Sequence, residues 1–352
     1  MRDRLFPFVL EPKLAPAIWG GDALVTRYHK PGDPSQPLGE SWECWDENHI
    51  ANAPPSTVAG LRASLGSELT GAIDPQRIFP VLTKIIDARQ PLSVQVHPDD
   101  AYAQRVEHQQ NGKTECWYIL ACEPNAELVL GWTHDTSRDE YLRRVADGTL
   151  GEILRRVPVH PGDAFYLPAG TVHAIGAGIQ LFETQQASDL TYRMFDWNRV
   201  GADGKPRPLH VEKAADVLDY RATKPNAVKQ LQYDADGLTH TLLIADRRFL
   251  VERVDVHAFA TSLPTDGLPL TITAMGAHLR VDADAGSTVL EPWQSALTPA
   301  AAQTVTLVPG GTPTSALVVR PQPDLAAIRT RALAAGVDAA VYDAFAAQFT
   351  AA

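Results

Sequence analysis

The sequence predicts a mainly β fold with helical insertions and a helical C-terminal tail. Across 352 residues, 27 prolines and 24 glycines are scattered between short apolar runs, which is the pattern of many short strands joined by turns. Several of these runs alternate polar and apolar residues with the period of a strand. From Asp324 onward the chain is instead rich in alanine and has no β-branched run, so we expect one or two helices broken at Gly336.

The most clearly patterned strand runs from residue 92 to residue 97. Its leucine and two valines share one face, and the residues between them, Ser93, Gln95 and His97, share the other. The composition of four later segments also predicts strands, at 164–167, 249–254, 304–308 and 316–319.

Helical signals are fewer and local. Ser137 and Glu140 have the spacing of a capping box and predict a helix that continues to about Ala146. A second helix is predicted at about 150–156, and an amphipathic helix at 211–220.

The charge balance limits the possible partners. With 31 basic and 42 acidic residues the formal net charge is −11, which argues against a nucleic acid or an anionic membrane, because both require clustered lysine and arginine. No run approaches the roughly 20 apolar residues that span a bilayer, and the start of the chain lacks the apolar core of a signal peptide. The three cysteines form no CxxC pair and are too few for a disulfide framework, so we expect a cytoplasmic protein.

Four potential metal ligands lie on two spaced motifs. Gln95 and His97 project from one face of the first strand, and Glu115 follows 18 residues after His97, far enough for a loop and a return strand. His173 ends the second motif, Gly-x5-Pro-x-Gly-x2-His, which predicts a strand, a tight turn and the start of another strand. An amide oxygen, two imidazoles and a carboxylate suit Zn²⁺, Mn²⁺ or Fe²⁺, with room for water or substrate.

These two motifs resemble the paired motifs of cupin jelly-roll barrels, with Gln95 in place of the first histidine. More narrowly, the chain resembles the short bacterial type of class I mannose-6-phosphate isomerases, or phosphomannose isomerases, from about residue 10 to residue 220, with order and spacing intact. The matching stretches are 18–21, 39–43, 79–100, 112–118, 161–173, Glu183 with 185–189, and 191–193.

The resemblance implies a zinc-dependent aldose–ketose isomerase that interconverts mannose 6-phosphate and fructose 6-phosphate through an enediol. By position it implies one zinc ion per chain, bound by Gln95, His97, Glu115 and His173, with Gln95 the weakest ligand. It also implies a catalytic group of Arg193, Glu183 and Lys113, and a substrate-binding group of Lys84, Ser93, Lys113 and Arg193.

The chemistry of such a reaction explains why these residue types are needed. A proton moves between C1 and C2 while negative charge develops on oxygen, and a divalent cation, Arg193 or Lys113 would stabilise that charge. A carboxylate or a hydroxide held by the metal would carry the proton. Glu183 is the candidate carboxylate; the alternative is that it is a structural partner of Arg193.

The phosphate of such a substrate requires local positive charge in an acidic protein. The cations that lie in or beside the motifs are Lys84, Lys113, Arg193 and Arg199. Which of them contacts phosphate, rather than the reacting end of the sugar, stays open from the sequence.

The later part of the chain is interpreted from pattern alone. Residues 308–314 repeat the Pro-x-Gly-x2 arrangement of 168–173, but Thr314 replaces the histidine; the alternative is a coincidental hairpin turn. The predicted domains are a metal-binding catalytic cupin at 1–225 with a helical insertion at about 136–157, a second, metal-free cupin-like domain at 226–320, and a helical tail at 321–352. The tail is expected to cover an edge strand, to mediate self-association or to fray, and the protein to be a monomer or a weak homodimer.

Two other functions compete with the isomerase. A metal cupin of another class, such as an Fe²⁺ dioxygenase, would favour a histidine-rich site, and Gln95 with the basic residues counts against it. A non-catalytic sugar-binding cupin would be expected to lose Arg193 or a metal ligand, yet all are present.

Overall fold

The structure, a computed structural model, describes residues 5–54, 57–200, 204–222, 226–257, 259–311 and 314–349. Within these ranges the chain is built mainly from strands, in agreement with the predicted fold class. The strands are β1 (Phe8–Leu10), β2 (Lys13–Gly21), β3 (Leu38–Cys44), β4 (Val81–Ala88), β5 (Val94–Val96), β6 (Glu115–Cys122), β7 (Glu127–Trp132), β8 (Leu154–Pro158), β9 (Ala164–Leu167), β10 (His173–Ala174), β11 (Ile179–Gln186), β12 (Tyr192–Phe195), β13 (Leu231–Ala235), β14 (Leu238–Ala245), β15 (Phe249–Val256), β16 (Thr261–Pro264), β17 (Leu270–Met275), β18 (Leu279–Ala283), β19 (Gly286–Leu290), β20 (Ser295–Thr298), β21 (Thr304–Pro309) and β22 (Thr314–Pro321). The α-helices are α1 (Ala23–Thr26), α2 (Val58–Leu65), α3 (Ser67–Thr70), α4 (Asp100–Tyr102), α5 (Arg138–Ala146), α6 (Val211–Val217), α7 (Leu325–Ala334) and α8 (Ala339–Ala346).

The first barrel consists of two facing sheets. One sheet has the order β2-β3-β4-β11-β6-β9 and the other the order β12-β5-β10-β7-β8. Ile86 and Leu181 from the first sheet share a core with Leu128 and Leu130 from the second, so these side chains fill the space between the sheets. The site described below lies between the same two sheets.

The second barrel repeats this arrangement with sheets of different size. A sheet of order β1-β20-β17-β22-β15-β14-β13 faces a smaller one of order β16-β21-β18-β19. Val254, Ile272, Val281 and Leu307 pack between them. Strand β1, near the start of the chain, pairs with β20 and thereby belongs to a sheet of the second barrel; the limits of the two domains stay a prediction.

The two barrels pack sheet against sheet. Ile85 and Phe182, on the outer face of the six-stranded sheet, share a core with Val251 and Leu317 of the seven-stranded sheet. A strand of the six-stranded sheet therefore has one face in the first barrel and the other against the second barrel, because successive side chains alternate.

The C-terminal helices pack against both barrels. The predicted break at Gly336 is confirmed, because α7 ends at Ala334 and α8 begins at Ala339. Phe349 contacts the ring of Tyr166 on the edge strand β9 at a centroid distance of 5.4 Å. Of the three roles predicted for the tail, the structure therefore matches packing over a strand at a sheet edge.

Most predicted elements are confirmed, and one is wrong. The capping box at Ser137 begins α5, the amphipathic helix is α6, and the strands predicted from residue 164 onward are β9, β15, β21 and β22. The segment predicted as a helix at 150–156 is a 3₁₀ turn at Leu150–Ile153 followed by β8. Its residues 154–158 pair with β7, and this pairing overrides a weak local helix preference. Among the described residues no helix is long and apolar enough to cross a membrane.

Candidate active site

The four predicted metal ligands converge between the two sheets of the first barrel. His173 on β10 lies directly opposite Gln95 on β5, and His97 follows the last residue of β5. Glu115 is the first residue of β6 in the facing sheet. On β5 itself, the side chain of Gln95 lies on one face, and those of the buried Val94 and Val96 lie on the other, where they pack beneath the helices α5 and α6. The predicted alternation of this strand is therefore confirmed for these three residues.

The distances within this group suit a small metal ion. His173 Nε2 lies 3.2 Å from Glu115 Oε1, and His97 Nε2 lies 3.6 Å from Glu115 Oε2. Ligands about 2.0–2.2 Å from a tetrahedral Zn²⁺ are about 3.3 Å from one another. The donor atoms of these three residues all lie within 4.8 Å of one another. The two distances from Glu115 to the imidazoles are therefore those of neighbouring ligands in a tetrahedral site.

Backbone carbonyls orient both imidazoles. His97 Nδ1 lies 2.7 Å from the carbonyl of Leu190, and His173 Nδ1 lies 2.8 Å from the carbonyl of Thr171. A carbonyl oxygen only accepts, so each Nδ1 carries the proton, and the Nε2 atoms that face Glu115 carry lone pairs. This is the arrangement that prepares a histidine to bind a metal through Nε2.

The electrostatics of the group favour a bound cation. Burial lowers the pKa of His173 to about 4 and, together with the charge of Lys113, lowers the pKa of His97 well below its ordinary value. Burial also raises the pKa of Glu115 to about 7, against the attraction of Lys113. Two neutral imidazoles and a buried carboxylate form a donor set that suits a divalent cation.

The side-chain amide of Gln95 lies beside these three residues. Its Nε2 lies 3.3 Å from His173 Nε2, at the same spacing as the other donors. Since the oxygen and nitrogen of an amide occupy nearly equivalent positions, the side chain can present its oxygen at this point. Gln95 is half-buried, unlike the other three residues.

Lys113 provides the nearest positive charge. Its Nζ lies 2.6 Å from Glu115 Oε2 and 3.1 Å from His97 Nε2, and the side chain is 5% exposed. The structure therefore brings this predicted residue into contact with two of the predicted ligands.

A row of two charged side chains flanked by two tryptophans crosses the six-stranded sheet on its inner face. Cross-strand pairing places Trp42 beside Lys84, Lys84 beside Glu183, and Glu183 beside Trp117. Glu183 Oε1 lies 3.3 Å from Lys84 Nζ, and Glu183 Oε2 accepts a hydrogen bond from Trp117 Nε1 at 2.9 Å. The partner of Glu183 is therefore Lys84, and the alternative that Glu183 pairs with Arg193 is wrong.

These contacts keep both charged groups of the row ionised. Burial opposes the ionisation of Glu183, but Lys113, Lys84 and the Trp117 N–H outweigh it and lower the pKa. Burial likewise opposes the charge of Lys84, but the carboxylates of Glu40 and Glu183 raise its pKa. Glu183 is accordingly available as a proton acceptor.

Trp42 of this row and the adjoining Glu40 were not among the predicted site residues. Glu40 Oε2 lies 3.2 Å from Lys84 Nζ and accepts a hydrogen bond from Trp42 Nε1 at 2.7 Å. The Lys84 ammonium also lies 4.9 Å from the centre of the Trp42 ring. The available signal was the two-residue spacing of Glu40 and Trp42 within the matching stretch 39–43, which places them on one face of a strand.

Arg193 lies on the facing sheet, in the same cross-strand row as two of the predicted ligands. It is opposite Gln95, which is opposite His173. Its Nη1 donates to the carbonyl of Pro208 at 2.9 Å, while its buried Nε has no hydrogen-bond partner among the described residues. Burial, followed by the charge of Arg207, lowers the pKa of Arg193.

Two further arginines lie beside Arg193 and share one carboxylate. Arg207 Nε donates to Asp196 Oδ2 at 2.7 Å, and Arg199 also pairs with Asp196. Three guanidinium groups thus accompany a single carboxylate and leave a local excess of positive charge. Arg207 was not predicted, because nothing in its local pattern distinguishes it from a surface arginine.

Ser93 is the predicted residue with the fewest distinguishing contacts. It is 4% exposed and immediately precedes β5, two residues before Gln95. The structure therefore places it next to the group without assigning it a role.

The facing sheets and the buried imidazole–carboxylate group define a metal-site protein of the cupin class. The model of the phosphomannose isomerase type I catalytic domain matches residues 8–117. The mannose-6-phosphate isomerase ManA of Bacillus subtilis is 42% identical over 242 residues, which cover 67% of this chain and 76% of that protein. The chain therefore belongs to the mannose-6-phosphate isomerase family, and its activity is that of this class of enzyme.

Solved structures agree with this assignment. The crystal structure of the mannose 6-phosphate isomerase from Bacillus subtilis superposes with a TM-score of 0.81 at 30% identity, over 89% of this chain and 99% of that chain. A mannose 6-phosphate isomerase solved with zinc and yttrium has the same fold, with a TM-score of 0.68 at 16% identity over 90% of this chain and all of the other. The predicted family and enzyme class are confirmed, and they favour the isomerase over the dioxygenase and the non-catalytic cupin.

Proposed function

We propose that this chain interconverts mannose 6-phosphate and fructose 6-phosphate with one Zn²⁺ ion, held by His97, Glu115, His173 and, more weakly, Gln95. The observation that carries the proposal is the spacing of 3.2 and 3.6 Å between the imidazole nitrogens and the carboxylate oxygens of a fully buried group. A zinc-containing structure in the same fold supports the choice of metal. When bound, Zn²⁺ would polarise the sugar oxygens and make the neighbouring C–H bond more acidic.

The chain's own cations would act on the reacting end of the sugar. Lys113 contacts Glu115, one of the proposed metal ligands, and Arg193 lies on the strand next to Gln95, directly opposite it. Both would donate hydrogen bonds to the oxygens on which negative charge develops in the enediolate. Neither group needs to be reorganised at the moment of reaction, because both are held in place by contacts already described.

Glu183 is the proposed carrier of the proton between C1 and C2. It is ionised, since Lys113 and Lys84 stabilise its charge, and Trp117 fixes one of its oxygens. A carboxylate held between a lysine and an indole N–H has a single orientation, which a proton transfer between adjacent carbons requires. Lys84 and Ser93 are proposed to line the sugar site beside it.

The arginine group beside Arg193 is the proposed location of the phosphate. Arg199 and Arg207 share the single carboxylate of Asp196, so the pair carries one positive charge that this carboxylate does not balance. Planar guanidinium groups suit bidentate contacts with phosphate oxygens. This placement leaves Lys113 and Glu183, which lie nearer the ligand group, for the reacting carbons.

The proposal is tested by a coupled assay of mannose 6-phosphate conversion during removal and return of metal. The purified chain is assayed, treated with a chelator until metal analysis finds no zinc, assayed again, and then supplied with Zn²⁺, Mn²⁺ or Fe²⁺ in separate samples. We expect activity to disappear with the metal and to return with zinc. Full activity in samples shown to contain no metal would contradict the proposal, and oxygen consumption on addition of iron would favour the dioxygenase instead.

A further inference from the structure

The stretch 39–43 contains a second glutamate that the reaction does not use. Glu43 on β3 is 1% exposed. The pairing register of β3 shifts between Trp42 and Cys44, and Glu43 shares its face with Ser41, which contacts its carboxylate and lies on the side opposite to Glu40 and Trp42. Its carboxylate therefore points away from the sugar site and toward the second barrel.

Glu43 contacts both barrels. Lys30 Nζ lies 2.7 Å from Oε1 and 2.8 Å from Oε2, and Ser41 donates to Oε1 at 2.6 Å. From the second barrel, Ser295 on β20 donates to Oε2 at 3.1 Å. Lys30 also donates to the carbonyl of Trp293 at 2.6 Å, in the turn before β20. The buried ion pair is thus hydrogen-bonded to both barrels at once.

The two residues of the second barrel that make this contact, Ser295 and Trp293, are themselves held in place by neighbouring side chains. Ser295 Oγ lies 2.8 Å from Thr273 Oγ1 on the neighbouring strand β17. The ring of Trp293 packs edge-on against Tyr28, two residues before Lys30, at a centroid distance of 4.8 Å. A buried pair with these partners has one arrangement, because moving either charge would leave the other unpaired in the protein interior.

We propose that Glu43 is a positioning residue of the sugar site: it fastens β3 to the second barrel and thereby sets Glu40 and Trp42 against Lys84. The proposal rests on the sugar site proposed above. The backbone at Glu43 cannot shift without moving Trp42, its neighbour, and a small displacement of a substrate-contacting wall is enough to weaken binding. The second barrel then contributes to catalysis through the strand that it holds.

The test compares two variants that each remove one hydrogen bond between the barrels. Ser295→Ala removes the donor to Glu43 without leaving a buried charge unpaired by its lysine. Tyr166→Phe removes the hydrogen bond from Tyr166 to Asp246 at 2.9 Å, which does not involve β3. We expect Ser295→Ala to raise the KM for mannose 6-phosphate by about three- to tenfold with kcat changed less than about twofold, and Tyr166→Phe to leave KM unchanged.

Two further measurements separate positioning from general loosening. Hydrogen exchange of the peptide that covers 38–44 should become faster in Ser295→Ala and stay unchanged in Tyr166→Phe. The effects of Ser295→Ala and Trp42→Phe on KM should be non-additive, because both act on the same wall of the site. Glu43→Gln should show the same pattern with a larger rise in KM, provided that it folds.

The outcomes distinguish this inference from the proposed function. If the unsubstituted chain does not convert mannose 6-phosphate, the proposed function fails, while the hydrogen-exchange comparison still reports on β3. If the unsubstituted chain is active, but Ser295→Ala and Tyr166→Phe give equal KM values and equal exchange in 38–44, the contact only holds the barrels together and Glu43 has no positioning role.

Discussion

Each barrel buries a glutamate beside a histidine, but the charge around the two glutamates differs. Glu115 in the first barrel pairs with Lys113 at 2.6 Å and faces two imidazoles whose pKa values are lowered, yet burial still raises its own pKa to about 7. Glu252 in the second barrel accepts hydrogen bonds from Arg320 at 3.1 and 3.2 Å and lies 2.9 Å from His240 Nδ1. Burial opposes its ionisation, but Arg320 and His240 lower the pKa to about 2.

The two barrels also differ in how completely their arginines are paired. Arg320 is fully buried, and its guanidinium is paired with Glu252 and the carbonyl of Pro264. Arg193 in the first barrel has a buried Nε without a hydrogen-bond partner among the described residues. A buried ion pair with complete partners indicates a structural contact, and a half-buried guanidinium with no carboxylate partner among the described residues indicates a place for a ligand.

The largest expected effect is that of removing the carboxylate of Glu115. Glu115→Gln should lower kcat/KM by at least about 10³-fold and abolish stoichiometric zinc binding, because a neutral amide is a poor ligand for Zn²⁺. The metal-free variant should also be less stable than the metal-free parent, because the buried Lys113 loses the carboxylate that it contacts at 2.6 Å. Kinetics, metal analysis and thermal melting check this. Glu252→Gln is the matched control and should keep its zinc; normal zinc content in Glu115→Gln would contradict the comparison.

Removal of Arg193 should affect turnover alone. Arg193→Ala should lower kcat by about 10²–10³-fold, because a donor to the developing negative charge is lost. Zinc content and melting temperature should stay close to those of the parent. Normal turnover would remove Arg193 from the mechanism, and a strong loss of stability would show that its role resembles that of Arg320.

Removal of Arg320, which is paired with Glu252, should lower stability and leave turnover unchanged. Arg320→Met leaves Glu252 buried without its main partner, so the free energy of unfolding should fall by about 3–5 kcal/mol. Zinc content and the kcat of the folded fraction should not change. Denaturant titration measures the loss. The double variant Arg320→Met with Glu252→Gln should recover part of it, and a single-variant loss below about 1 kcal/mol would contradict a structural role.

Acid should lower the stability of the second barrel by protonating the carboxylate of Glu252. The pKa of Glu252 is about 2 in the folded chain against an ordinary value of 4.5, so its ionised form stabilises the fold. This contribution, about 3 kcal/mol, is present above pH 4.5 and is lost as the pH falls from 4.5 to about 2. Unfolding of the parent and of Glu252→Gln across this range checks it: the difference between them should shrink with acidification, and a constant difference would exclude the effect.

Local pattern was enough for much of this protein. The alternation of residues 92–97 and the spacing of Glu115 and His173 identified the group that the structure brings together, because the two-residue period of a strand assigns a face to each side chain. The capping box at Ser137 and the break at Gly336 also depend only on neighbouring residues, and both are confirmed. The helix predicted at 150–156 failed because pairing with β7, which is remote in sequence, decided its conformation.

Residue types, motif order and strand faces were determined by the sequence itself, and they were sufficient to identify the family and the ligand group. Only the tertiary structure decided which strands are neighbours, and hence that Glu183 pairs with Lys84, that Arg193 shares a row with Gln95, and that Glu43 meets Ser295 of the second barrel. The physical reason is that the period of a strand is a local property, whereas pairing between strands and compensation of buried charge depend on groups far apart in the chain. Glu115 and Glu252 are the same residue type, and their surroundings alone make one a candidate metal ligand and the other a structural anion.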